Sequence, residues 1–145
     1  MQGMISSPEA ALNFMLAGNA IVTLRSQKTG NHYTYKIRSF PNADPKQLTY
    51  KVLLLTGPDN ENDYSWLGRI VNGQFYLTRR SREMGLTEMT PSVKAIIWVL
   101  INLSHNQMPA MLEILHEGRC GRCNKVLTVP ESVLTGLGPI CAAQD

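Results

Sequence analysis

Apolar residues follow two different spacings along this chain, and the spacing predicts the type of each element. The first apolar group, from Ala11 to Leu16, recurs at helical spacing. Ser7 and Pro8 precede it, and these residue types are favoured at the N-cap and at the first position of a helix. Gly18 can end the segment, so a short helix is expected between Pro8 and Gly18.

Five segments between residues 20 and 78 show the alternation of apolar and polar residues that is typical of strands. Asn72-Gly73 separates the last two, and this dipeptide is a strong hairpin signal. The run from Val52 to Leu55 is continuously apolar, which places its strand near the centre of a sheet. The pattern predicts an antiparallel meander with strands at residues 20–26, 32–38, 48–56, 64–71 and 74–78.

Helical spacing returns after residue 90. Thr90 and Pro91 suit the start of a helix with one apolar face, and we expect this helix to cover the sheet. The preceding stretch, Arg79–Met89, is predicted to be a loop, and Pro109–Leu115 a second short helix. The expected fold class is therefore α+β, with a β-meander of about five strands packed by a helix.

Length and composition favour one compact unit. The chain has 145 residues, of which 43% are hydrophobic and 17% charged, and this composition argues against disorder. We expect residues 1–108 to form the meander domain and residues 109–145 a C-terminal segment packed on it. The longest apolar run, Ala95 to Leu103, is far shorter than the roughly 20 residues of a membrane span. Met1–Ser7 lacks the pattern of a secretory signal, so a cytosolic location is expected.

All three cysteines lie near the C-terminal end of the sequence. An odd number of cysteines in a cytosolic chain favours metal ligation over a disulfide framework. Cys120 and Cys123 have the C-x2-C spacing of a zinc knuckle, in which Gly121 can take the positive φ of a tight turn. Zinc takes four ligands, and Cys141 and His116 are the predicted third and fourth. The sequence therefore predicts one structural Zn2+ in a treble-clef-like segment.

Other interpretations of the cysteines stay open. The C-x2-C pair could be a redox pair, although the βαβ context of such motifs is missing, or the cysteines could be buried without metal. A catalytic zinc with Glu117 or Glu131 as general base is a third interpretation, although a deaminase-type motif is absent. The fourth ligand could also be His105, His32, water or a residue of a second chain. No motif in the sequence requires an enzyme, and no catalytic residues are expected.

Basic residues form two clusters in the sequence. The formal net charge of +3 is mild and does not by itself identify a nucleic-acid-binding protein. Each cluster could be a solvated surface that keeps the protein soluble, or a surface that binds nucleic acid or a partner. The clustered residues are Arg79, Arg80, Arg82, Arg119, Arg122 and Lys125.

Aromatic residues on the predicted strands are interleaved with basic ones. They could form a stacking platform for single-stranded nucleic acid, or they could be the core beneath the helix that begins at Pro91. Aromatic residues in small sheets are usually core, which favours the second interpretation. The aromatic residues are Tyr33, Tyr35, Tyr50, Tyr64, Trp66, Phe75 and Tyr76, and the basic ones are Lys36, Arg38, Lys51 and Arg69.

Three patterns follow one another towards the C-terminal end. They are C-x2-C at residues 120–123, Leu-Thr-x-Pro-Glu-Ser at 127–132, and Gly-x-Gly-Pro-x-Cys at 136–141. Together they resemble the cysteine-rich segment of an uncharacterised family of small phage and mobile-element proteins, and upstream pieces such as 16–20 and 66–68 are also similar. The resemblance implies a phage or plasmid origin and a bound zinc. It implies no activity.

An origin of this kind changes the expected function. Small accessory phage proteins often bind nucleic acid or block a host defence, and a blocker needs no catalytic residues. We expect a non-enzymatic anti-defence protein, anti-CRISPR-like, that binds a host protein or nucleoprotein complex in the host-cell cytosol. The alternative is a zinc module that uses the basic residues to bind DNA or RNA. No membrane partner is expected, and the chain could also form a homodimer.

Overall fold

The computed structural model describes residues 3–40, 49–59, 62–125, 127 and 134–138. These residues build a single antiparallel sheet of seven strands with helices on one face, in the strand order β1-β7-β2-β3-β4-β5-β6. In chain order the elements are β1 (Gly3–Met4), α1 (Pro8–Met15), β2 (Asn19–Ser26), β3 (His32–Ser39), β4 (Thr49–Leu55), β5 (Tyr64–Val71), β6 (Gln74–Leu77), α2 (Arg79–Glu83), α3 (Pro91–Ser104) and β7 (Leu112–His116).

The predicted meander is confirmed in β2 to β6, with bounds close to those expected. The mixed helix-and-sheet architecture is confirmed with it. The start of the third predicted strand, Leu48, lies outside the described residues. The zinc-binding character of the C-terminal segment and the division after residue 108 stay predictions.

The predicted helix at Pro109–Leu115 is wrong, because Leu112–His116 forms the strand β7. This strand lies between β1 and β2, and His116 is paired with both Gly3 and Val22. A segment this short cannot satisfy its backbone groups as an isolated helix, whereas two neighbouring strands can satisfy them. The sheet therefore has two strands more than the predicted five.

The two longer helices begin where the sequence predicts. The Ser7 hydroxyl accepts a hydrogen bond from the Ala10 N–H at 3.3 Å and so caps α1. Within the stretch predicted as a loop, Thr78 caps the short helix α2 by accepting from the Ser81 N–H at 3.1 Å, so that part of the loop prediction is wrong. No helix formed by the described residues is long and apolar enough to cross a membrane.

The core lies between the sheet and the helices α1 and α3. Tyr35 is fully buried at the centre of this layer, and its hydroxyl donates to the Ser92 carbonyl of α3 at 2.6 Å. The Tyr50 hydroxyl donates to the Leu16 carbonyl, just after α1, at 2.8 Å. Alternate residues of β3 and β4 therefore point towards the helices, and the residues between them point to the opposite face of the sheet.

A β-bulge in β5 changes which of its side chains share a face. Val52 is paired with Gly68, but the next residue, Leu53, is paired with Trp66, so Leu67 is the extra residue. Trp66 and Arg69 are three positions apart and would point to opposite faces of a regular strand. The bulge brings both to the face away from the helices.

Candidate metal centre and basic surfaces

β7 ends at His116, and the residues after it fold back in a narrow turn that places Cys120 in the interior. The Leu127 N–H donates to the Gly118 carbonyl at 2.7 Å, and the Cys120 N–H donates to the Lys125 carbonyl at 2.8 Å. The left-handed residues are Gly118, with φ 80°, and Asn124, with φ 64°. The expectation that Gly121 supplies the positive φ is therefore wrong.

The surroundings of Cys120 favour a thiolate. Its side chain is buried, and its Sγ accepts a hydrogen bond from the Arg122 N–H at 3.4 Å. Burial alone would raise the pKa of this thiol. Hydrogen bonds from the backbone N–H groups of Cys123, Gly138 and Arg122, and from the Cys123 side chain, outweigh burial and lower the pKa to about 7. The thiolate is the form of cysteine that binds metals, so this geometry fits a metal ligand.

Gly121 is needed for close packing against α1. A Cβ atom at Gly121 would lie 2.7 Å from Cδ1 of Phe14, and one at Gly136 would lie 2.4 Å from the same atom. The Gly121 N–H donates to the Gly136 carbonyl at 2.8 Å, so both glycines lie together against the Phe14 ring. The turn at residues 120–123, which we call the knuckle, and Gly136 are thereby packed against α1.

His116 is buried, 1% exposed, and lies beside the same ring, with centroids 5.7 Å apart. Its Nδ1 accepts a hydrogen bond from the Gly118 N–H at 2.9 Å. In a metal-bound histidine the nitrogen that does not bind the metal normally donates a hydrogen bond. Metal ligation by His116 therefore requires this bond to be exchanged for another.

The four predicted ligands are not all within the described part of the chain. Cys120 is buried and Cys123 is exposed, and Cys141 lies outside the described residues. Among the described residues no three histidine, cysteine or acidic side chains are grouped closely enough to hold a metal ion. The alternative histidines are both exposed: His32 begins β3, and His105 follows α3 with its Nδ1 2.7 Å from the Ile101 carbonyl.

The two basic clusters have different electrostatic surroundings. On α2, Arg79 lies 3.2 Å from Glu83 and Arg82 lies 2.6 Å from Glu88, so two of its three arginines are paired with carboxylates. Arg80 is exposed beside them. The positive charge of this cluster is therefore partly neutralised.

The second cluster surrounds the knuckle. The Arg119 Nη1 donates to the Asn124 carbonyl at 3.1 Å, which fixes the side chain across the turn. Lys125 is exposed, and Arg122 is half-buried and lies near enough to Tyr50 to act on its pKa. Burial is the larger effect and raises that pKa, and the charge of Arg122 opposes the rise.

The predicted aromatic residues divide between the two faces of the sheet. The core interpretation is confirmed for Tyr35 and Tyr50, which are buried beneath the helices. Trp66 and Tyr76 are 39% and 52% exposed. The sequence alone does not show which of the seven rings the helices cover, because that depends on the packing of the helices on the sheet and on the bulge at Leu67.

The comparisons with known proteins concern this same C-terminal region. Residues 110–144, about a quarter of the chain, match the model of a family of unknown function (DUF6011). The match includes β7 and the C-x2-C turn, and it does not extend to the upstream pieces at residues 16–20 and 66–68. No curated protein and no solved structure matches the chain significantly.

Proposed function

We propose that this protein is a small, non-enzymatic binding protein whose C-terminal segment is stabilised by one structural zinc ion. Cys120, Cys123 and Cys141 would supply three thiolates, and His116 would complete the tetrahedron. The observation that carries the proposal is the set of N–H groups directed at the Cys120 sulfur, which stabilises its thiolate form.

The packing of the segment supports a structural role for the metal. Gly138, whose N–H contributes to the environment of Cys120, precedes Cys141 by three residues in the sequence. Gly121 and Gly136 lie against Phe14, so a metal bound here would join the tail to α1. Binding free energy at such a site contributes directly to the stability of the segment.

Metal analysis of the purified protein tests the site. We expect about one zinc per chain, as a single four-ligand site requires. Cys123→Ser should lose the metal and lower the stability of the C-terminal segment. Lys125→Ala is the matched control, because it changes an exposed neighbour and keeps the carbonyl that pairs with Cys120. A wild-type protein that is fully folded and free of zinc would reject the proposal.

A second variant, His116→Asn, tests the identity of the fourth ligand independently of the three cysteines. If His116 binds the metal, His116→Asn should weaken zinc binding while the three thiolates still retain some affinity. Equal zinc affinity of wild type and His116→Asn would show that another group completes the site. This result would leave the Cys123→Ser experiment to decide on the zinc itself.

For the partner, we infer a host protein or nucleoprotein complex and an anti-CRISPR-like, anti-defence role. The support is the resemblance of the C-terminal motif to proteins of phage and mobile elements. Expression of the protein in cells with an active CRISPR system should raise the plating efficiency of a targeted phage, and Cys123→Ser should reduce the effect. Unchanged plating in the presence of well-expressed, folded protein would contradict this role.

The alternative function is nucleic-acid binding by the basic residues. The cluster at Arg119, Arg122 and Lys125 supports it better than α2, where two arginines are paired with carboxylates. Neutralising the knuckle cluster should flatten the salt dependence of binding, and the same change on α2 serves as a comparison. A protein without affinity for DNA or RNA at low salt would exclude this alternative.

A further inference from the structure

The sheet face opposite α1 and α3 carries basic and aromatic side chains that neither the core nor the proposed zinc site uses. We name it the aromatic–basic face and define it by Lys36, Arg38, Phe40, Lys51, Trp66 and Arg69. All six are at least partly exposed. None of them belongs to the two basic clusters described above.

The strands that carry this face contribute charge of one sign only. The strands β3 to β6 contain no aspartate or glutamate and carry four lysines and arginines. Arg38 is paired with Lys51, and Lys51 with Arg69, so three cations stand directly opposite one another on adjacent strands. Like charges in such positions destabilise a sheet, and an anion bound across the row relieves the repulsion.

Two described carboxylates, Glu113 and Glu117, bear on the charge near this face, and the Tyr64 ring on which Glu117 acts lies 4.3 Å from the Lys36 Nζ. Glu113 of β7 is paired with Arg25 of β2 at 2.9 Å. Glu117 follows β7 and acts on Tyr64, whose pKa is raised by burial first and by this charge second. Among the described residues, neither carboxylate forms an ion pair with Lys51 or Arg69.

The cations are stacked on aromatic rings. The Lys51 Nζ lies 4.5 Å from the centroid of the Trp66 ring, and the Arg69 guanidinium carbon lies 5.2 Å from the same centroid. Arg69 also lies 5.6 Å from the Phe40 ring, which is 6.3 Å from Trp66. A nucleobase stacks on an exposed ring more strongly than an exposed cation does. A base could therefore replace the cation on the Trp66 ring. The displaced Lys51 or Arg69 side chain would then lie beside the phosphate of the same nucleotide.

Hydrogen bonds within the protein fix the position of Trp66. Its Nε1 donates to the Gly68 carbonyl at 3.0 Å, across the bulge. The carbonyl groups of Trp66 and Leu67 accept from the Ser81 hydroxyl of α2 at 3.2 and 3.0 Å. Fixing an aromatic side chain in this way reduces the conformational entropy that binding would otherwise cost.

We propose that the aromatic–basic face binds single-stranded nucleic acid. Bases stack on Trp66 and Phe40, and phosphates contact the row of Arg38, Lys51 and Arg69. A single strand is the ligand because a duplex keeps its bases stacked inside and cannot offer them to the rings. The inference goes beyond the proposed function, because it specifies single strands as the ligand and a surface that shares no residue with the zinc site or with the two basic clusters.

Fluorescence anisotropy with labelled 12-nucleotide dT and U strands tests the proposal on the purified full chain. We expect binding at low salt that weakens as salt rises. Trp66→Ala should weaken binding roughly 5- to 150-fold, the range for loss of one base–aromatic stack. Trp98→Ala is the matched control, because Trp98 is 47% exposed on α3 and should leave the affinity unchanged.

Two milder variants keep the test valid if Trp66→Ala disturbs the bulge. Trp66→Phe retains a ring and should recover most of the affinity. Lys51→Gln should lower the slope of log K against log salt by about 0.7, the value for one phosphate contact on a single strand. Lys94→Gln, on the exposed side of α3, should leave the slope unchanged.

Tryptophan fluorescence tests whether the nucleic-acid strand contacts the Trp66 ring. In Trp98→Phe the only remaining tryptophan is Trp66, and stacking of a base on it should quench its emission as the strand is added. The proposal is overturned if neither strand binds or if a duplex of the same length binds more tightly. Equal loss of affinity in Trp66→Ala and Trp98→Ala, or equal competition by polyglutamate, would also overturn it. Zinc content is measured separately, so either proposal can fail without the other.

Discussion

Substitution of Gly121 by alanine should disrupt the packing of the C-terminal segment on α1. The added Cβ would lie 2.7 and 2.8 Å from two ring atoms of Phe14 and 2.9 Å from its carbonyl oxygen. That carbonyl accepts from the Ala17 N–H at the end of α1, and the ring is fully buried, so neither can move away freely. Overpacking of this kind costs about 1–3 kcal/mol. For a chain of this size that is a fall in Tm of roughly 2–12 °C.

A double-mutant cycle identifies the cause of the loss. Phe14→Leu removes the ring atoms, at a cost of about 1 kcal/mol for a change of shape at a buried position. It also removes Cε1, one of the three close contacts of the new Cβ, and replaces the rigid ring at Cδ1 by a shorter side chain that can change rotamer. The double variant should therefore be more stable than the sum of the single changes implies, by at least about 0.5 kcal/mol.

Urea unfolding followed by circular dichroism measures all four proteins. Gly30→Ala is the control, because Gly30 has φ 77° but no atom within 4 Å of its Cβ position. Its variant should lose stability through backbone strain alone and show no coupling to Phe14→Leu. Wild-type stability of Gly121→Ala, or strict additivity with Phe14→Leu, would refute the packing argument.

Three further predictions concern single contacts. Tyr35→Phe should cost about 1–2 kcal/mol in urea unfolding through loss of the bond to Ser92, whereas Tyr33→Phe should cost little. Ser81→Ala should also cost about 1–2 kcal/mol and shift the emission of Trp66 in a Trp98→Phe background, because two carbonyl groups lose a donor. Glu113 has a pKa lowered by its hydrogen bond from Arg25, so its contribution to stability is present above its unfolded pKa and is lost as pH falls through the folded value. Glu113→Gln should therefore be less stable than wild type at pH 7, and the difference should shrink below about pH 4 in thermal unfolding.

Local sequence signals predicted the elements that depend on local interactions. The helix starts at Ser7-Pro8 and Thr90-Pro91 and the Asn72-Gly73 hairpin are properties of a few neighbouring residues, and all three are present in the structure. β7 could not be found in this way. Its apolar residues fit a helix as well as a strand, and its partners Gly3 and Val22 lie about a hundred residues away.

The two candidate surfaces differ in how far the sequence reveals them. The spacing of Cys120 and Cys123 predicts a tight turn directly, since neighbouring residues form it, and the metal that the turn would bind stays a proposal. The aromatic–basic face depends on the bulge at Leu67, and Gly68 beside it packs so closely against the Phe75 ring that a Cβ would not fit. Strict alternation along β5 would place Trp66 and Arg69 on opposite faces. Their position on the same face therefore cannot be predicted from the sequence of β5 alone.

The position of β7 in the sheet sets the order of events during translation. β1 and β2 leave the ribosome early, but the strand that lies between them is encoded near the end of the described chain. At ribosomal speeds of about 5–20 residues per second, the delay between β2 and β7 is roughly 4–17 s. During this interval the outer edge of β2 has no strand beside it, which exposes the nascent meander to pairing with other chains. Ribosome stalling before residue 112 should therefore produce a nascent chain that depends on chaperones.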